Sequence, residues 1–137
     1  MPYQRYSIAE FIGNLARTIE ERTGVRCVDD PDNVPSPLYS VEFLNSKRSD
    51  TKTSFVDVYS VWVHAIAEPA TPRSNAPVLE MVRALEVALA DDMPLPEPFD
   101  MFMQTVSGVQ SLKTDPSGEG HAVVECEFRI SYGFKCK

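Results

Sequence analysis

The sequence predicts an α+β fold: a four-stranded antiparallel sheet with two helices packed on one face, in the order helix-strand-strand-helix-strand-strand. Three observations predict it. Two segments, Ile8 to Ile19 and Val78 to Leu89, carry apolar residues at helical spacing. Four others read as strands, through alternation or through β-branched and aromatic enrichment. Each pair of strands follows a helix, so two hairpins can close one sheet whose apolar side both helices cover.

The first helix is specified at both ends. Ser7 and Glu10 form an S-x-x-E capping box, and Tyr6 and Phe11 stand at the two positions of a hydrophobic staple. Ile8, Phe11, Ile12, Leu15 and Ile19 then share one face, and Gly24 stops the helix. DDPDNVPSP (Asp29–Pro37) is a linker by composition. Tyr39, Val41 and Phe43 alternate with polar residues as a half-buried strand, and a polar loop runs from Asn45 to Ser54.

The next strand, Phe55 to Glu68, is apolar on both parities. Val56, Val58, Trp62 and Ile66 form one set, and Phe55, Tyr59, Val61 and Val63 the other. Part of its second face therefore needs a cover, which a partner protein could supply. EPATPRSNAP leads into the second helix, with Ser74 or Asn75 as cap and Pro77 in the first turn. Asp91 and Asp92 oppose the dipole at its end, where fraying is expected, and MPLPEP terminates it. Phe102 to Leu112 is a weaker strand with a bulge expected at Gly108. After the loop from Lys113 to Gly120, the last strand alternates cleanly. Val124, Cys126, Phe128, Ile130 and Tyr132 face inward, and Glu125, Glu127, Arg129 and Ser131 outward.

One domain accommodates all 137 residues. With 43% hydrophobic and 24% charged residues the chain reads as globular. No apolar run reaches the ~20 residues of a membrane helix. MPYQRYSIAEF has no apolar leader region, so cytoplasmic synthesis is the expectation. The formal charge of −7 is concentrated after residue 54, which argues against a nucleic-acid reader. Lys47, Arg48 and Lys52 are the one local basic candidate.

Nothing in the sequence converges on catalysis. Glycine-rich nucleotide loops, nucleophile elbows and zincin motifs are missing from it. His64 and His121 stand apart, and Cys27, Cys126 and Cys136 lack the close spacing of a metal site. The thiols are expected to be free, with Cys126 in the core and Cys136 exposed; no cofactor and no metal is expected. Asp29–Asp30, Asp91–Asp92 and Glu125/Glu127 read as solvated carboxylates.

SIAEFIGNLARTIEERTG, the strand–helix succession FVDVYSVWVHAIAE and VLEMVRALEVALA, and the closing VVECEFRISYGF together resemble tailed-phage tail-completion and tail-terminator proteins. The resemblance implies a structural subunit, not an enzyme, that caps the tail tube and joins it to the head connector. It further implies a homo-oligomeric ring, commonly of six subunits, around a channel through which DNA passes without specific binding. Location in the host cytoplasm during assembly and then in the virion tail follows from it. The candidate contacts with neighbours or partners are Lys47, Arg48 and Lys52 on one loop and Glu125, Glu127 and Arg129 on the last strand, with the Lys113–Gly120 loop beside them. The alternative is a small ligand- or peptide-binding domain without catalytic activity, built around Tyr59, Trp62 and His64.

Overall fold

The computed structural model describes residues 4–69 and 74–135. Its elements are α1 (Ile8–Thr23), β1 (Cys27–Val28), β2 (Leu38–Arg48), β3 (Ser54–Ala67), α2 (Ala76–Ala88), β4 (Asp100–Thr114) and β5 (Gly120–Phe134). They form one five-stranded sheet in the order β1-β2-β3-β5-β4. β2–β3, β3–β5 and β5–β4 are antiparallel, whereas β1 runs parallel to β2.

The α+β class and the two hairpins are as the sequence predicts, but the expected four-stranded, purely antiparallel sheet is enlarged by β1. Cys27 and Val28 pair with Tyr39 and Ser40. Two residues are too few to show a period, so sequence pattern could not reveal this strand.

α1 is built as its end signals dictate. Ser7 Oγ accepts from the Glu10 amide at 3.4 Å, and Gly24 closes the helix in the left-handed region at φ 77°, its N–H donating to Glu20 O. Tyr6 is buried ahead of the cap, as a staple requires. At the start of α2, Ser74 Oγ takes the Ala76 amide at 3.0 Å, while Asn75 makes no side-chain cap bond. At the other end of α2, where the sequence led to an expectation of fraying, the carbonyls have partners from another helix. Arg22 of α1 donates to the carbonyls of Ala88 (2.8 Å), Asp91 (2.6 Å) and Asp92 (3.0 Å). A cation on another helix thus supplies what the two aspartates cannot.

The core lies between the helices and one side of the sheet. Phe11, Leu15 and Ile19 of α1 and Val78, Val82 and Leu85 of α2 meet alternate residues of the two central strands. Those are Tyr59, Val61, Val63 and Ala65 of β3, with Val124, Cys126, Phe128 and Ile130 of β5. Phe11 is the hinge of this layer, its ring centroid 4.9 Å from Tyr59 and 5.1 Å from Phe128. Buried hydroxyls fix the helices to the sheet, and the Asn14 amide ties α1 to the segment after α2. Tyr59 donates to Tyr6 O at 2.6 Å, Tyr39 to Met81 O at 2.6 Å, and Asn14 Nδ2 to Pro94 O at 2.8 Å. A buried polar group left without such a partner costs ~1–3 kcal/mol.

On the opposite side of the sheet, Val56, Val58 and Ile66 are also buried, although no helix packs there. Val58 is registered between Lys47 and Arg129, and Trp62 between Glu42 and Glu125. Long stems on both flanking strands shield the apolar residue between them. Much of the cover that β3 demands therefore comes from its own neighbours in the sheet.

β4 carries register breaks at three places, Met101/Met103, Val106/Gly108 and Val109/Ser111, where the sequence suggested only the one at Gly108. β2 and β3 extend the first hairpin beyond expectation, so that Lys47 and Arg48 lie on strand β2 and the loop shrinks to residues 49–53.

Gly120 opens β5 against α2. A Cβ added there would stand 3.0 Å from Val78 Cβ and 3.0 Å from Val78 Cγ1. Gly120→Ala is expected to destabilise the fold by ~1–3 kcal/mol through overpacking. In a Val78→Gly background, which removes both atoms, the same change should cost clearly less, a coupling readable by denaturant melts of the double-mutant cycle.

Candidate functional site

Of the two candidate groups named from the sequence, Lys47 shares the helix-free face of the sheet with Glu125, Glu127 and Arg129, whereas Arg48, registered with Asp57, belongs to the other face. Lys47, Arg48 and Lys52 are exposed along β2 and the following turn. Glu125, Glu127 and Arg129 sit on β5, half-buried rather than fully wet as their parity implied. β3 runs between β2 and β5 and links the groups: Val58 pairs with both Lys47 and Arg129. Arg129 also reaches across β3, donating to Ser49 Oγ at 3.2 Å, with Glu127 3.6 Å away. Glu125 is placed farther along the strand, beside Trp62.

Sequence reasoning missed Arg5. It sits just ahead of the α1 cap and pairs with the buried Asp57 at 3.1 Å. Together with Ser7, Ile8, Lys47 and Arg48 it lines a cleft of about 350 Å³ between the start of α1 and the first hairpin. Burial raises the Asp57 carboxyl above its ordinary value, and Arg5 opposes that rise. Asp50 goes the other way. Its carboxylate accepts the Val56 amide at 3.0 Å and Arg48 Nε at 2.9 Å, which lowers its pKa, with Lys135 3.7 Å off. The turn is thus organised around Asp50. A signal was present in the sequence, since an Asp within a tight turn favours side-chain bonds to nearby amides.

The two histidines are less isolated than their spacing suggested. His64 Nε2 lies 2.7 Å from Glu42 Oε1 across the β2–β3 pair. His121 Nε2 comes within 3.3 Å of Asp115 Oδ2, without hydrogen-bond direction. Asp115, Glu119 and His121 place ligand-type atoms within 4.8 Å of one another at the second hairpin turn. Yet Asp115 Oδ1 is already taken by the amides of Ser117 and Glu119 and the Ser117 hydroxyl. Those bonds, the hydroxyl first, lower its pKa and close the turn.

The pocket imagined around Tyr59, Trp62 and His64 does not form. Tyr59 belongs to the helix-covered core, while Trp62 and His64 lie on the other parity of the same strand, on the opposite side of the sheet. A separate apolar groove of about 430 Å³, lined by Val25, Pro37, Tyr39, Met81 and Ala84 among others, runs beside α2. Its polar neighbours are Glu68 and Glu80, both acids, which do not make the convergent set a small-molecule site uses.

Cys126 is fully buried, as its parity predicts, and Cys27 is buried too. Burial pushes both thiols up to about 12. Cys136 lies outside the described residues. Among the described residues no helix is long and apolar enough to cross a membrane.

The features define a protein whose distinctive chemistry is carried by surfaces and hairpin tips. The sequence matches, over residues 4–137, the family described as "Putative tail termination protein", and the chain belongs to that family of phage tail terminators. These are structural proteins of the phage tail, not enzymes. No curated protein matches the sequence. The fold is shared with a chain in a solved structure, the virion of a native gene transfer agent particle. The TM-score is 0.69 at 13% identity, covering 93% of this chain and 99% of that one.

At pH 8 a thiol titrating near 12 is ionised only to the order of 10⁻⁴, and the thiolate is the nucleophile. Peptide-resolved mass spectrometry should therefore find Cys27 and Cys126 unlabelled by iodoacetamide in the native protein. Both should be labelled in denaturant.

Proposed function

We propose that this tail terminator acts as a ring-forming subunit, with six copies as the expected number, that caps the tail tube and joins it to the head connector. DNA passes through the central channel without specific binding. The family match over residues 4–137 carries the structural, tail-capping part of this reading. The shared fold with a chain of a gene transfer agent virion supports a place in an assembled particle. Assembly takes place in the host cytoplasm, and the mature location is the virion tail.

The sheet suits such a role physically. Its two hairpins and their polar tips are held on a rigid centre, and loops on rigid scaffolds carry recognition. Lys47, Arg48 and Lys52 at the first tip, and Glu125, Glu127 and Arg129 on β5, are the residues proposed to meet neighbouring subunits, the connector or the tube. An acidic chain, at −7, lets DNA phosphates pass a wall without adhering.

Native mass spectrometry and sedimentation velocity test the ring. A ring of fixed stoichiometry is expected, alone or on mixing with the tube or connector protein. A strict monomer in every mixture would overturn the reading. Reversing Glu125→Lys, Glu127→Lys and Arg129→Glu together should leave the fold intact and disrupt assembly at least ~10-fold, since like charges facing a partner are strongly disfavoured. Unchanged assembly would show that this face has no role in it.

A further inference from the structure

The antiparallel register of β3 on β5 sends the two hairpin tips in opposite directions. The β2–β3 tip lies at the end where Ser54 meets Phe134. The β4–β5 tip lies at the other end, where Ala67 and Thr114 both meet Gly120.

The two ends are unlike in charge. At the first, Arg5, Lys47, Arg48, Lys52 and Lys135 outnumber Asp50, Asp57 and the exposed Asp100, which the register puts beside Ser131 at this end. Arg5 is taken by Asp57, and Arg48 and Lys135 share Asp50. Lys47 and Lys52 have no ion-pair partner among the described residues. At the second end the excess is acidic. Glu68, Asp115 and Glu119 stand at the tip, and Asp29 lines the adjoining cavity of about 330 Å³ with Ile66 and His121. The described cations near this end are Arg26 and Lys113, and among the described residues no ion pair engages Asp29, Glu68 or Glu119.

We infer that these ends are the two halves of one heterologous contact between copies of this chain. The basic β2–β3 tip of one copy seats against the acidic β4–β5 tip and Asp29 side of the next. The inference rests on the ring reading and adds to it the surfaces that meet. Two basic ends repel, as do two acidic ends, so a self-terminating two-fold pairing through either end is disfavoured. Head-to-tail contact brings unlike ends together and propagates until it closes. Exposed ion pairs are individually weak, so the charges fix orientation and register. Apolar groups beside them supply area to bury: Ile8 and Phe134 are 42% and 61% exposed at the basic end. A phosphate polymer fits that end less well, because Asp50 and Asp57 are set among its cations.

Charge exchange tests this on the full chain. One variant carries Lys47→Glu and Lys52→Glu, a second carries Asp29→Lys and Glu68→Lys, and a third carries all four; these positions are exposed, and circular dichroism checks their folding. Sedimentation velocity at low salt should show assembly weakened ~10-fold or more in each two-site variant. It should recover to within ~3-fold of wild type in the four-site variant, and when the two-site variants are mixed. Wild-type assembly that neither reversal disturbs would overturn this contact while leaving the ring intact. A wild-type chain that never assembles would overturn both. If the lysine reversal abolishes retention of a duplex oligonucleotide yet spares assembly, the basic end is a phosphate surface and the contact is refuted.

Discussion

The pairing of β3 with β5 is the constraint on which the rest of the molecule depends. It joins two hairpins that would each be marginal alone, since a two-stranded unit without a covered apolar face is barely stable in water. Its register runs from Ser54–Phe134 to Ala67–Gly120. That span places Tyr59 beside Phe128 and Val61 beside Cys126, so one continuous apolar surface is offered to both helices. Phe11 then reads the seam directly, touching a ring from each strand. The helices recognise the junction, and the junction fixes where the hairpin tips go.

Because both central strands are buried on the helix side, the polar bonds that cross that layer are few and specific. Tyr39 and Tyr59 each spend a hydroxyl on a backbone carbonyl of a helix or its entry, and burial pushes both phenols up to about 12. Both hydroxyls therefore remain protonated, as donors, at neutral pH. Gln104 does the same work for the turn after α2, accepting the Met93 amide and donating to the carbonyls of Leu89 and Asp91. With Arg22 on the other side, the end of α2 is closed by two side chains distant in sequence.

What the sequence made legible follows from how local each signal is. α1 could be read almost residue by residue, because its cap, staple and stop all act within five positions of the helix ends. β5 was as clear, since a strand packed on one side alternates. β1 could not be seen: its two residues form a strand only because Tyr39 lies beside them. β4 was blurred by three bulges, each of which shifts the parity. The surface groups show the same division. Lys47, Arg48 and Lys52 are neighbours in sequence and could be grouped, but Arg5 joins them only through the tertiary pairing with Asp57. The His64–Glu42 pair likewise depends on the β2–β3 register, which a bulge near Phe43 resets. The Tyr59–Trp62–His64 pocket failed for the simplest reason: residues of unlike parity in a strand cannot share a face.

The two edges of the sheet bear on how any neighbour could approach. An open edge invites strand addition, and proteins blunt it with short strands, bulges or side-chain cover. Here β1 is only Cys27–Val28, and the Cys27 amide is taken by Glu20 Oε1 at 3.0 Å. β4 is long, but three register breaks interrupt its ladder. The β1 corner and the β4 edge therefore resist simple extension of the sheet, even though Phe102, Met103, Val109 and Leu112 leave apolar side chains exposed on β4. β2 beyond Ser40 has no strand on its outer side among the described residues. Continuous backbone pairing along β4 would have to undo bulges that the β4–β5 register has already fixed. Side-chain contact asks for no such change, so the physical options for joining such a sheet to another surface lie in its rims and its tips.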